Sequence, residues 1–149
     1  YYYNPNIWPE AEYFRRLEQL NKVAAHFKTD LLTEDYRPEE FLRAVKGLEN
    51  EPEGGGRCAA CFKLRLYKTA EKAKELGFGA FASTLTVSPH KDAALINELG
   101  LQIESATGVK WIPADFKKRN GYLRSLALSQ ELKLYRQNYC GCAFSARGD

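Results

Sequence analysis

The sequence predicts an α/β fold, with a mostly parallel sheet covered by helices on both faces. Three observations carry that expectation. Short apolar runs alternate with helix-period stretches, roughly one strand per 25–35 residues, which is the rhythm of strand–helix–strand units. The runs lack polar alternation, as suits strands buried on both faces. Proline and glycine punctuate the segments where a helix would start or stop.

The elements follow in order. Tyr1, Tyr2 and Tyr3 precede the turn residues Asn4, Pro5 and Asn6 and read as the end of a strand. Pro9 suits the first turn of a helix, where its missing N–H costs nothing. Phe14, Leu17, Leu20, Val23, Ala24 and Phe27 then recur at helical spacing and predict a helix over 9–27. Residues 30–33 read as a short strand. Pro38 starts a second helix through about Lys46, and Gly47 ends it. Residues 47–57 form a loop by composition, with three successive glycines. A long helix runs from Cys58 to about Leu76, with Gly77 as its stop. Residues 78–83 read as a buried strand. Pro89 opens a helix that Gly100 closes, and residues 101–103 and 109–112 are further strand candidates. Residues 117–134 form a last helix, with Leu123, Leu126, Ala127 and Leu134 on its apolar side. All of this reads as one domain over 1–149.

In open α/β sheets a site lies beyond the carboxyl ends of the strands. That directs attention to residues 3–6, 35–36, 83–90 and 113–115.

The chain has 149 residues, 44% hydrophobic and 28% charged, with a formal charge of +3. It is long enough to bury one core. No apolar run reaches the length of a membrane span, so no membrane partner is expected. Met is absent, and the chain opens on three tyrosines that read as the inside of a strand. An N-terminal segment is therefore expected to be missing. Charge is uneven: residues 101–149 hold 8 Lys/Arg against 4 Asp/Glu. A basic third of this kind suits a phosphate-rich partner, and equally a solvated surface.

The four cysteines form two tight pairs, Cys58-Ala59-Ala60-Cys61 and Cys140-Gly141-Cys142. Ordinary composition around them favours a reducing compartment, the cytoplasm, and metal or redox chemistry over a disulfide framework. A C-x-x-C at a helix start puts both sulfurs near the positive end of the dipole, which lowers thiol pKa. Thiolates are nucleophiles and are ligands of zinc and of iron–sulfur clusters. A disulfide within C-x-C closes a small, strained ring, and strained disulfides are the labile ones. All four thiols together could build one metal site if folding joins Cys61 to Cys140. His26 reads as a surface residue and His90 as a loop residue. Tyr122, Tyr135 and Tyr139 lie among Arg119, Arg124 and Arg136, a mixture that suits stacking on unpaired bases or plain surface packing.

Taken together, the motifs resemble the cobalamin-independent epoxyqueuosine reductases over essentially the whole chain. The resemblance rests on Tyr2-Tyr3-Asn4-Pro5-Asn6-Ile7, Gly55-Gly56-Arg57-Cys58-Ala59-Ala60-Cys61-Phe62 and Ser83-Thr84-Leu85-Thr86-Val87-Ser88-Pro89-His90. It continues through Asp115-Phe116-Lys117-Lys118-Arg119-Asn120-Gly121-Tyr122 and Leu134-Tyr135-Arg136-Gln137-Asn138-Tyr139-Cys140-Gly141-Cys142.

The resemblance implies a tRNA-modifying enzyme that reduces epoxyqueuosine to queuosine at the wobble position of the anticodon loop. It implies a Rossmann-like sheet of the adenine-nucleotide-hydrolase kind, with the first strand in the missing N-terminal segment. It also implies a [4Fe-4S] cluster held by Cys58 and Cys61 together with an N-terminal Cys-Cys pair, which this sequence lacks. Cys140 and Cys142 become the redox pair. Without the Cys-Cys pair the chain is expected to be inactive alone. Loop position makes Asp115 and Tyr122 candidate proton donors. A second mononuclear metal ion could act as a Lewis acid on the oxygen. Lys117, Lys118, Arg119, Arg124 and Arg136 are the candidate tRNA contacts. The electron donor is unidentified. Two other readings of the thiols stay open: a thiol–disulfide oxidoreductase using Cys58 and Cys61, and a zinc-stabilised RNA-binding module.

Overall fold

A computed structural model describes residues 1–145. Five α-helices dominate it: α1 (Glu10–Phe27), α2 (Pro38–Ala44), α3 (Gly56–Glu75), α4 (Ala93–Thr107) and α5 (Gly121–Glu131). Strands β1 (Ala80–Phe81) and β2 (Lys110–Trp111) pair in parallel, Ala80 opposite Lys110 and Phe81 opposite Trp111. A second parallel contact joins Tyr2 to Thr33, where the Tyr2 N–H donates to the Leu32 carbonyl at 2.7 Å. The α/β class stands, Rossmann-like in its parallel pairing. Its strands are shorter than the apolar runs that predicted them. Among the described residues the two parallel pairs are not hydrogen-bonded to each other.

The main core lies between α3, α4 and the β1–β2 pair. Helix α3 presents Cys58, Phe62, Leu66, Ala70 and Ala73 at four- and three-residue spacing. They meet Ile96, Leu99 and Ile103 of α4, and Phe81 and Trp111 of the strands. A fully buried Leu66 contributes about 1.5–3 kcal/mol of transfer free energy. Smaller clusters gather Tyr2, Ile7 and Tyr13 on one side, and Phe41, Val45, Cys61 and Cys142 on another.

Three sequence expectations are corrected. Helix α1 buries Tyr13, not Phe14, which is exposed along with Phe27. Tyr13, Leu17 and Leu20 pack toward Tyr2 and Ile7, so the expected stripe holds at its centre and fails at Phe14 and Phe27. Gly100 does not close a helix. Helix α4 runs on to Thr107, and residues 101–103 are helical. Ile96, Leu99, Gly100 and Ile103 share the buried face, and a Cβ on Gly100 would sit 2.3 Å from Trp111 Cδ2. The glycine is there so that the indole can lie against the helix. The cap is instead Gly108, at φ +77°. Finally, the last helix spans only Gly121–Glu131, because Arg119 and Asn120 take positive φ in the turn before it.

Candidate functional site

The first two turns of α3 carry Cys58 and Cys61 three residues apart on one side, each 7% exposed. The glycine loop before it is tied down by Arg57. This guanidinium is buried and donates to the Glu49 carbonyl at 2.7 Å and to the Glu51 carbonyl. The Gly54 N–H points at Cys58 Sγ, 3.2 Å away. Burial pushes the Cys61 thiol up to about 11, against the pull of Arg65 one turn further along. The thiol activation expected from the helix dipole is thus outweighed at Cys61 by desolvation.

The C-x-C segment is clamped by the start of the chain and by α1. The Trp8 N–H donates to the Gly141 carbonyl at 2.7 Å, and the Tyr139 hydroxyl donates to the Trp8 carbonyl at 2.7 Å. Arg16 donates to the carbonyls of Cys140 at 3.0 Å and Tyr139 at 3.4 Å. Arg16 is itself aligned by Glu12, 2.7 Å away and almost wholly buried. Gly141 sits at φ +118°, and a Cβ there would lie 2.7 Å from Arg16 Nη1 and 3.2 Å from Ile7 Cγ1. Both the backbone angle and the close guanidinium require glycine at the middle position.

The clamp carries Cys142 into the apolar cluster that holds Cys61, Phe41 and Val45. Folding therefore joins the two cysteine pairs. All four are free thiols. Cys140 is half-buried, and Lys91 Nζ lies 3.1 Å from its sulfur. A hydrogen bond from the Cys142 thiol is the main force holding Cys140 far below the ordinary thiol range. Burial opposes it, and Lys91 and Arg65 reinforce it. The same hydrogen bond, with burial, drives Cys142 far up. The pair is therefore asymmetric, with Cys140 favoured as the thiolate and Cys142 as the thiol.

The sequence profile of the family described as epoxyqueuosine reductase QueH matches residues 1–148. A Streptococcus pyogenes protein named epoxyqueuosine reductase QueH is 47% identical over 99% of this chain and 60% of its own length. The Staphylococcus epidermidis protein of the same name is 45% identical over 98% of this chain and 65% of its own. The Thermotoga maritima one is 41% identical over 97% and 77%. This chain belongs to the QueH epoxyqueuosine reductase family. It spans about 60–65% of the length of the first two relatives.

Beside the cysteines, the other residues expected at a QueH site are partly gathered and partly scattered. Asp115 lies 3.2 Å from Lys117 Nζ and 3.6 Å from Lys118 Nζ. Burial works against its charge, but the two lysines outweigh it and hold the carboxyl below its usual range. It is ionised at neutral pH and suits an acceptor better than a proton donor. Lys117 also donates to the Lys91 carbonyl at 3.1 Å, which links this loop to the Cys140 site. Tyr122 is half-buried at the second position of α5.

Lys118, Arg119, Arg124 and Arg136 are exposed. Tyr135 and Tyr139 are engaged within the fold, with Arg15 stacked 3.4 Å over the Tyr135 ring and Arg16 5.2 Å from that of Tyr139. Their rings pack on α1, the plainer of the two roles read for them. His26 and His90 are exposed.

Sequence reasoning missed Lys91 and Arg16. Lys91 directly follows the 83–90 loop that comes after a strand. Arg65 lies one helical turn beyond Cys61, as its i,i+4 spacing on α3 requires. Its guanidinium donates to Asn4 Oδ1. Both arginines border a cleft of about 470 Å³ between residues 1–4 and residues 82–85, the two segments that follow parallel pairs.

A four-iron cluster of the kind expected from the sequence takes four thiolates. Cys58 and Cys61 are buried, paired and suited to two of those positions. Among the described residues no three His, Cys, Asp or Glu side chains stand in an arrangement that would hold a metal ion. The described residues therefore supply half of such a site. Among the described residues no helix is long and apolar enough to cross a membrane.

Proposed function

We propose that this chain reduces epoxyqueuosine to queuosine at the wobble position of tRNA, with Cys140 and Cys142 as its redox pair. The observation that supports this reading is the convergence of two cysteine pairs, far apart in sequence, beside one half-buried lysine in a member of the QueH family. Removing an epoxide oxygen to leave an alkene takes two electrons and two protons. Closing the Cys140 thiolate and the Cys142 thiol to a disulfide releases two electrons and one proton, so the pair matches the electron count and the second proton comes from a separate donor. Cys58 and Cys61 are assigned as two ligands of a [4Fe-4S] cluster, which when bound supplies electrons at a potential set by its surroundings.

The exposed Lys118, Arg119, Arg124 and Arg136 are the proposed phosphate contacts on the tRNA anticodon arm. Lys117 joins them only if it gives up Asp115. Tyr122 is the proposed proton donor, and Asp115 orders the lysines around it. A second mononuclear metal ion, if used, would act as Lewis acid on the departing oxygen. The electron donor is external, and the compartment is the cytoplasm. A thiol–disulfide oxidoreductase running on Cys58 and Cys61 is the weaker reading, because burial disfavours the Cys61 thiolate.

The test is anaerobic conversion of epoxyqueuosine in tRNA, with a strong reductant, by a reconstituted protein that carries these residues together with the N-terminal Cys-Cys pair. Conversion is expected, with loss in Cys140→Ser and in Cys58→Ser; unchanged conversion in both variants would overturn the assignment. Iron and sulfide analysis adds a second check. A full, stable four-iron cluster on residues 1–149 alone would contradict the assignment of only two ligands.

A further inference from the structure

We propose that the C-x-C pair is reduced in a fixed order by a dithiol reductant, with Cys140 as the exchanging sulfur, Cys142 as the first leaving sulfur and Lys91 as the positioning counter-ion of Cys140. The inference deepens the reading of Cys140 and Cys142 as a redox pair and rests on it.

Geometry carries the assignment. Cys142 is 6% exposed and packs among Phe41, Val45 and Cys61, so an incoming thiolate has no path to it. Cys140 is half-buried and keeps an open side. Thiol–disulfide exchange needs in-line access to the sulfur under attack, which singles out Cys140. Lys91 Nζ lies 3.1 Å from that sulfur, with the lysine side chain only 12% exposed. The lysine is held by Glu53 at 3.8 Å, by the Phe62 ring at 5.7 Å and through its carbonyl by Lys117. A charge fixed this way stabilises the departing Cys140 sulfur and costs little ordering when the bond breaks.

The steps balance. One thiolate of the reductant attacks Cys140 Sγ of the oxidised pair. The Cys140–Cys142 bond breaks, and its electron pair leaves with Cys142, which takes a proton. The second thiol of the reductant then attacks its partner sulfur in the mixed disulfide. Cys140 leaves as a thiolate beside Lys91, and the reductant departs as its own cyclic disulfide. Two electrons enter the protein, one proton stays on Cys142 and one goes to solvent. In the second step a stabilised leaving thiolate departs faster, which is where Lys91 acts.

The experiment is iodoacetamide labelling of the dithiothreitol-reduced protein, read peptide by peptide by mass spectrometry. Cys140 is expected to label at least about tenfold faster than Cys142. Lys91→Met should slow Cys140 by about tenfold, and Lys91→Arg, which keeps the charge, should restore most of the rate. Faster labelling at Cys142, or a Lys91→Met protein that labels like the wild type, would overturn the proposal.

Should Lys91→Met fold poorly, oxidised glutathione gives an independent answer. Cys142→Ser should accumulate a glutathione mixed disulfide on Cys140, and Cys140→Ser should form little on Cys142; the reverse pattern refutes the order. Neither measurement uses tRNA. Failure of epoxide reduction therefore leaves the exchange order standing, and failure of the order leaves the reductase reading standing.

Discussion

Gly141 shows how one residue can hold a site in place. Its φ of +118° and the Arg16 guanidinium against its Cα leave no room for a side chain. Gly141→Ala should cost about 1–3 kcal/mol, read as a lower midpoint in urea unfolding. The same variant should lift Cys140 away from Lys91 and slow its alkylation. The thiolate at Cys140 is a second expectation at this scale. Its absorbance in the near ultraviolet should be present at neutral pH, vanish in Cys140→Ser and persist in Cys142→Ser. It also carries a pH signature. A thiol held below its ordinary value of 9.0 stabilises the fold fully above that value, and this stabilisation is lost as pH falls through the lowered one. Wild-type stability measured against Cys140→Ser should therefore decline on acidification from pH 9. Cys142 is shifted the other way and costs stability only as pH rises above the same starting value. The asymmetry was invisible in sequence, because Lys91 and Cys140 are neighbours only after folding.

Helix α4 separates local from tertiary control among the elements. Its start obeys local chemistry, since Asp92 Oδ1 accepts from the Ala94 N–H at 2.8 Å and the Leu95 N–H at 3.3 Å. Asp92→Ala should lose about 1 kcal/mol in thermal unfolding. Its continuation past Gly100 obeys packing. Glycine is a poor helix former, so the sequence read as a stop. The Trp111 indole against the bare Cα, with Ile96, Leu99 and Ile103 buried around it, outweighs that propensity. Gly100→Ala is expected to destabilise by about 1–3 kcal/mol through overpacking, although alanine is the better helix former on its own. Gly121 works the same way at the head of α5, where a Cβ would meet the Phe116 carbonyl oxygen at 1.8 Å. Helix α3 was legible almost to the residue, because its apolar spacing, its glycine approach and its cysteine pair agree with one another.

The basic residues of α5 and its approach act at the scale of the whole molecule, where tRNA would bind. Lys118, Arg119 and Arg124 are exposed and close in sequence. Each replaced by alanine should weaken tRNA binding and reduce the slope of log affinity against log salt by about 1. Lys117→Ala should change that slope little, because its ammonium is already occupied by Asp115 and the Lys91 carbonyl.

The sequence alone determined the α/β class, the presence of short strands near residues 2, 33, 80 and 110, the first cysteine pair at a helix start and the resemblance to one family. These are written in local spacing, where three or four residues along the chain decide a face or a stop. Tertiary structure alone decided that Cys142 packs beside Cys61, that Lys91 faces Cys140 and that Tyr135 and Tyr139 serve α1 and its arginines. Such contacts join residues tens of positions apart. They follow from how helices pack and which charges are buried together, and no spacing along the chain encodes that.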